Sequence, residues 1–253
     1  MTPEGEKNHE LPKLAEAVEE ALRTWKPSLG EARARLIVLP SGVEVLQVRL
    51  ELGLLQMAVH GRPDGTRVDS FATLHDAISA GGMGSSDFSL SSRLRLESAQ
   101  FQRRAEAWLE ARLPERAITD ADLSLRSLGT AARVASSAED RVALRAIAAA
   151  RFPLVALRVR AEAAALLAAG LGERVRANID AGLERLRAAA RDASLGDSFE
   201  VLSEVILLRA MRDNLVPKLP GSARTELESR LRAAVFSENY ELAAILRDEL
   251  RLS

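Results

Sequence analysis

The sequence predicts a mainly helical protein with a small antiparallel β-sheet near its N-terminus and a helical hairpin at its C-terminus. Three observations carry this. Aromatic residues make up only 4 % of the chain, which is rich in Ala, Leu and Arg, a mix that favours packed helices over sheets. Almost strict alternation of apolar and polar residues is confined to Val43–Leu52. From about Leu90 onward the apolar residues recur at helical spacing. The chain divides accordingly into an α+β front (1–85), a helical bundle (86–216) and the terminal hairpin (217–253).

Composition narrows the function classes. With 253 residues, 47 % hydrophobic and 28 % charged, the chain can form a packed core. The formal net charge of −1 supplies no basic field for nucleic acid, so direct nucleic-acid binding is not expected. The absence of cysteine excludes disulfides and thiolate metal sites, and suits a reducing cytoplasm. The first residues, MTPEGEKNHELPK, have neither the basic start nor the apolar core of a signal peptide. No run of about eighteen apolar residues is present, so no membrane partner is expected.

In order along the chain, Leu11–Trp25 predicts an amphipathic helix, and either this helix or the next covers one face of the sheet. Arg35–Leu39 and Val43–Val59 predict a hairpin or a three-stranded meander, turned at Pro40-Ser41-Gly42, with Gly53 as a bulge or bend. His60–Gly65 follows as a turn: Pro63 presets φ, Asp64 bonds the backbone ahead, and Gly65 takes positive φ. The same turn admits a sharper reading as an anion-binding loop through Arg62, Asp64 and Gly65, with Arg67 flanking. The proline removes one of the amide donors this would need, which favours the plain turn. Phe71–Ala80 reads as a short helix capped by Asp69 or Ser70. Gly81–Ser86 reads as a loop without the Lys-Ser/Thr of a phosphate cradle.

Leu90–Leu113 is a helix that Pro114 ends. Thr119–Ser136 and Glu139–Leu157 follow, the second capped by Ser137, with Pro153 kinking or restarting it. Val159–Ala169 and Glu173–Ala190 form a hairpin across Gly170-Leu171-Gly172. Ala163, Leu166, Gly170, Val175, Ile179 and Gly182 resemble the small and apolar positions of a tetratricopeptide unit. A plain antiparallel bundle meets the same pattern, and both stay open. Phe199–Asp213 is a further amphipathic helix.

No catalytic or metal-binding constellation emerges. His9, His60 and His75 are far apart, and none has a paired-ligand spacing. Adjacent carboxylates such as Glu19-Glu20 diverge by about 100° on a helix and cannot act as one dyad. The chain therefore reads as non-enzymatic and without a cofactor.

The C-terminal stretch carries the functional signal. Leu227, Leu231, Ala234 and Val235 form one helical stripe, and Ser237-Glu238-Asn239 turns the chain. Tyr240, Ala243, Ala244, Arg247 and Leu250 form a second stripe, whose two alanines allow close approach. The string ENYELAAILRDEL is similar to the UVR motif, the helical hairpin shared by UvrB and UvrC of bacterial excision repair. The motif is also found in certain Clp ATPases and in McsA-type activators of protein-arginine kinases. Its positions fall on Glu238, Tyr240, Glu241, Ala243, Ala244, Leu246, Arg247, Asp248 and Leu250, with Tyr240 where phenylalanine is usual and Asn239 where aspartate is common. The segment LELGLLQMAVHGRPDG also resembles an uncharacterised bacterial group whose members end in a UVR motif.

The resemblance implies docking against a like hairpin through Leu231, Val235, Tyr240 and the alanine face, with Arg247 and Asp248 pairing across it. Three partners are open: an excision-repair protein, a Clp ATPase or arginine-kinase system, or a second copy of the chain. The zinc-binding cysteines of McsA-type activators are absent here, which counts against close kinship with them.

Overall fold

The computed structural model describes residues 22–26, 32–39, 41–81, 89–137 and 140–213, together with Leu231, Arg232, Val235, Leu246 and Arg247. The expected first helix lies largely outside the described residues, although Leu22–Thr24 is helical. The Gly81–Ser86 loop lies outside them beyond Gly81.

The fold is mainly helical with one three-stranded antiparallel sheet, β1 (Ala34–Val38), β2 (Glu44–Leu50) and β3 (Gly53–Ala58), in the order β1-β2-β3. This is the meander form of the two expected arrangements. Alternation sends Ala34, Leu36, Leu46, Val48, Leu55 and Met57 into the core. On the opposite face Arg35, Gln47 and Gln56 stand in register across the three strands. The Arg35 guanidinium donates to Gln47 Oε1 at 3.0–3.2 Å, and Gln47 Nε2 donates to Gln56 Oε1 at 3.0 Å. The Trp25 ring lies 4.1 Å from the Arg35 guanidinium. Gly53 is not a bulge: it pairs with Leu50 and opens β3, so Glu51 and the fully exposed Leu52 make a two-residue connection and the register is unbroken.

Among the described residues the helices that follow are α1 (Leu74–Ser79), α2 (Ser89–Glu110), α3 (Pro114–Ser137), α4 (Arg141–Ala168), α5 (Gly172–Asp192) and α6 (Ser203–Asp213), with a 3-10 turn at Gly196–Val201 before the last. Their ends correct several expectations. α1 begins later than Phe71, because Phe71 bridges to Val68 while Thr73 Oγ1 accepts the Asp76 amide at 3.0 Å. Pro114 does not merely stop α2. It opens α3, since the first helical position needs no N–H and suits a fixed φ. Ser137 stays inside α3, and α4 is capped instead by Asp140, whose Oδ1 accepts the Val142 and Ala143 amides.

α4 also runs unbroken through Pro153 and the expected gap at Arg158. A mid-helix proline costs about 3 kcal/mol. Here its neighbours Phe152 and Leu154 are both buried, each in a different apolar cluster, and that packing offsets the lost hydrogen bond. At the end of α4, Gly170 (φ 72°) lets Leu171 N bond Leu166 O and Gly170 N bond Leu167 O, the left-handed closure that glycine favours.

α4 is shared between two cores. Ala143, Ile147, Leu154, Leu157 and Ala161 pack with the sheet, α1, α2 and α3. Phe152, Ala156, Val159 and Ala163 pack with α5, the 3-10 turn and α6. Each set recurs at steps of three, four or seven, so two stripes occupy one helix.

The α4–α5 crossing depends on Gly182. A Cβ there would lie 2.4 Å from Val159 Cγ1. Gly182→Val is therefore expected to destabilise by about 1–3 kcal/mol, lowering Tm by roughly 2–12 °C in a chain of this size. Adding Val159→Ala should restore part of that loss, measurable by thermal unfolding.

Candidate functional site

The turn after β3 is held from both ends. Gly61 and Gly65 have φ of 65° and 74°, and Ala58 N donates to Pro63 O at 2.9 Å. Asp64 Oδ1 accepts from the Thr66 amide and hydroxyl at 2.9 and 2.8 Å, as the sequence suggested of an Asp in this position. Asp64 Oδ2 accepts from Arg62 and from Gln100 Nε2 of α2, each at 2.9 Å. Burial alone would raise the Asp64 carboxyl. Its hydrogen bonds from Thr66 and Gln100 and the Arg62 charge hold it below the usual aspartate range.

Arg62, Asp64 and Gly65 are thus brought together, but the Arg62 guanidinium faces two acids of its own chain. Besides Asp64, Glu97 Oε2 lies 3.9 Å from Arg62 Nε. Arg67 donates to Ser70 O at 2.9 Å. The turn is a polar plug seated on α2.

Beneath it lies a buried polar layer that sequence reasoning missed. Glu97 is 1 % exposed and caps α1 from outside, accepting from Leu74 N (2.6 Å), His75 N (3.2 Å) and Ser127 Oγ (2.9 Å). Two turns further along the same face, Arg104 makes a bidentate pair with Asp120 of α3, both contacts at 2.7 Å, and Trp108 Nε1 donates to the same carboxylate at 2.9 Å. The remaining arm of Arg104 donates to Ala58 O at 2.6 Å. The available signal was that Glu97 and Arg104 interrupt the apolar face formed by Leu94, Phe101, Ala105 and Trp108. Charged residues there require partners, but nothing local names them.

The polar side chains of this layer engage one another and the backbone. The His75 ring pairs with Thr130 Oγ1 at 2.9 Å, and Thr130 is 2 % exposed. The Ser127 hydroxyl donates a hydrogen bond to Glu97 Oε1. Among the described residues no group of three or more His, Asp or Glu side chains could hold a metal ion. No helix among them is long and apolar enough to cross a membrane.

A concavity lies elsewhere, along α4 between α3 and α5, with a volume of about 610 Å³. Its floor is Ile147, Arg151, Val155 and Arg158. One end is fastened by charge. Arg158 pairs with Asp122 at 2.6 Å and with Glu162, while Arg185 and Asn178 of α5 donate to Glu162 at 3.0 and 3.1 Å. Burial would raise the Glu162 carboxyl, but these hydrogen bonds and the two arginine charges hold it below the usual glutamate range.

Of the hairpin residues, Leu231 and Val235 are helical, the first half-buried and the second exposed. Leu246 is helical and buried, and the adjacent Arg247 is helical and exposed. Glu238, Tyr240, Glu241, Ala243, Ala244, Asp248 and Leu250 lie outside the described residues. Comparison of the chain with protein-family models, curated proteins and solved structures gives no match.

Two outcomes follow from this geometry. Asp120→Ala leaves the buried Arg104 charge uncompensated and is expected to cost about 3–5 kcal/mol, whereas Arg104→Met with Asp120→Leu should cost much less; chemical denaturation of both variants checks this. Glu162 has a folded pKa below its ordinary 4.5, so its stabilisation is complete above that pH and is lost as the pH falls through the folded value. Glu162→Gln should therefore flatten the acid limb of a urea-midpoint profile below pH 4.5 and lower the midpoint above it.

Proposed function

We propose that this chain is a non-catalytic docking protein whose C-terminal hairpin pairs with a like hairpin on a partner. The observation that carries the reading is the order of residues in Glu238–Leu250, where an aromatic, a glutamate, two adjacent alanines and an Arg-Asp pair recur as in the UVR motif. The helical backbone at Leu231–Arg232, Val235 and Leu246–Arg247 supports it, as does the contrast between buried Leu246 and exposed Arg247. Apolar residues of the two stripes would pack between hairpins, while Arg247 and Asp248 set the register through charge. A single hairpin contact is small, so affinity is modest unless several copies act together.

The resemblance to UvrB and UvrC makes excision repair the first pathway to test. A Clp ATPase or arginine-kinase system and self-association are the competing partners. We also infer a cytoplasmic location, supported by the cysteine-free sequence.

The test compares the full chain with Tyr240→Ala/Arg247→Ala and with a chain ended after Leu219. Each is immobilised and offered purified hairpin-bearing partners and the chain itself. Loss of the same partner in both variants, at an unchanged Tm for the double substitution, is the expected result. Equal retention by all three removes the hairpin from the binding surface.

A further inference from the structure

We propose that Asp64-Gly65 is a site of spontaneous covalent modification. The chain forms isoaspartate there when the turn after β3 comes off α2, and keeps aspartate while the turn is seated.

The sequence supplies the chemistry. Asp64-Gly65 is the single Asp-Gly step in the chain, and Asn-Gly does not occur. Glycine has no side chain to shield its nitrogen, so that nitrogen can reach the carboxyl carbon of the preceding aspartate. The Gly65 nitrogen bonds to Asp64 Cγ. The carboxyl hydroxyl and the amide hydrogen leave together as water, and a five-membered succinimide results. Water then adds back at one of its two carbonyls. Opening at Cγ restores aspartate, whereas opening at the main-chain carbonyl leaves the Gly65 nitrogen on Cγ, which is isoaspartate. Water is lost once and regained once, so no second reactant is needed. The Asp64 side chain is 30 % exposed, which gives that water access.

The seated turn opposes both requirements of ring closure, a Gly65 nitrogen free to lose its proton and a carboxyl in its acid form. Gly65 N donates to Arg62 O at 2.9 Å. The Asp64 carboxylate accepts from Thr66 N and Oγ1 on one oxygen and from Arg62 Nη2 and Gln100 Nε2 on the other. Acceptor bonds of this kind favour the ionised form, which is the unreactive one. Burial would raise the carboxyl, but these bonds and the Arg62 charge hold it below the usual aspartate range.

Three of the four donors to the carboxylate lie within the turn itself. Gln100 is the exception: it belongs to α2, 36 residues away in sequence, and so couples the state of Asp64 to the seat of the turn. Isoaspartate adds one carbon to the main chain and moves the carboxylate off the side-chain position. The Arg62 O to Gly65 N closure, with Gly65 at φ 74°, does not survive that change. Gln100 and Arg62 then lose the carboxylate they share. An opening of the turn is thereby recorded in the covalent structure.

The test incubates the full chain at neutral pH, both folded and in urea above its unfolding midpoint, beside folded Gln100→Ala and Thr66→Ala. Trypsin then releases residues 50–67 as one peptide, since the Arg62-Pro63 bond resists it. Chromatography with electron-transfer fragmentation separates and counts the isoaspartyl form. Isoaspartate should build up at least about tenfold more slowly in the folded chain than in urea. It should build up about two- to tenfold faster in each variant than in the folded parent, as expected for one lost hydrogen bond. Thr66 is exposed, so Thr66→Ala should keep the parent's Tm. A Gln100→Ala rate as high as that in urea means that the variant has unfolded, and the Thr66→Ala rate then decides. Equal rates in the folded and unfolded parent, or a parental rate in either variant, overturn the proposal.

Discussion

A single buried guanidinium joins the two kinds of secondary structure in this protein. Arg104 holds Asp120 of the neighbouring helix with two of its nitrogens and the last carbonyl of the sheet with the third. Without it, Ala58 O would end β3 unpaired against a helix, and Asp120 would be a carboxylate in the core. A buried pair of this kind adds little net stability against an apolar replacement. What it adds is position, because the planar fork accepts only one arrangement of strand end and helices. Glu97, two turns earlier on the same helix, does the same for α1 and leans toward the turn that follows the strand.

The helical layer is organised around α4. Its near-uniform apolarity, which weakens any one-sided pattern, reflects two burial stripes rather than one. The third side of the helix carries Arg151 and Arg158 of the cleft. A helix with one face in each of two cores and one facing outward has fixed orientation, so the cleft floor is rigidly set by packing that lies behind it.

Much of this was legible in the sequence, and the misses have physical reasons. The meander could be read because the period-two pattern and Pro40-Ser41-Gly42 agree on where strands begin and end. The Asp64 turn could be read because proline, aspartate and glycine each act locally. Pro114 and Pro153 misled because proline's effect depends on position: at a helix start it costs nothing, and inside α4 tertiary packing outweighs it. Arg104 and Asp120 were invisible as a pair because they lie on different helices, and neither has a local partner that would announce it. The cleft was invisible for the same reason, its floor and walls coming from three helices. The proposed hairpin is the reverse case, a candidate site written in consecutive residues.

The division of α4 between two cores also bears on synthesis. Among the described residues the last member of the front core is Ala161, so the sheet, made more than a hundred residues earlier, waits on the ribosome with its apolar face incomplete. Helices α2 and α3 can cover part of that face as they emerge, since each packs on its neighbour in sequence and local contacts form early. Final closure comes only when the middle of α4 leaves the exit tunnel, and that same event presents the first stripe on which α5 can build. Assembly is therefore directional, front core first, with α4 as the template passed from one core to the next.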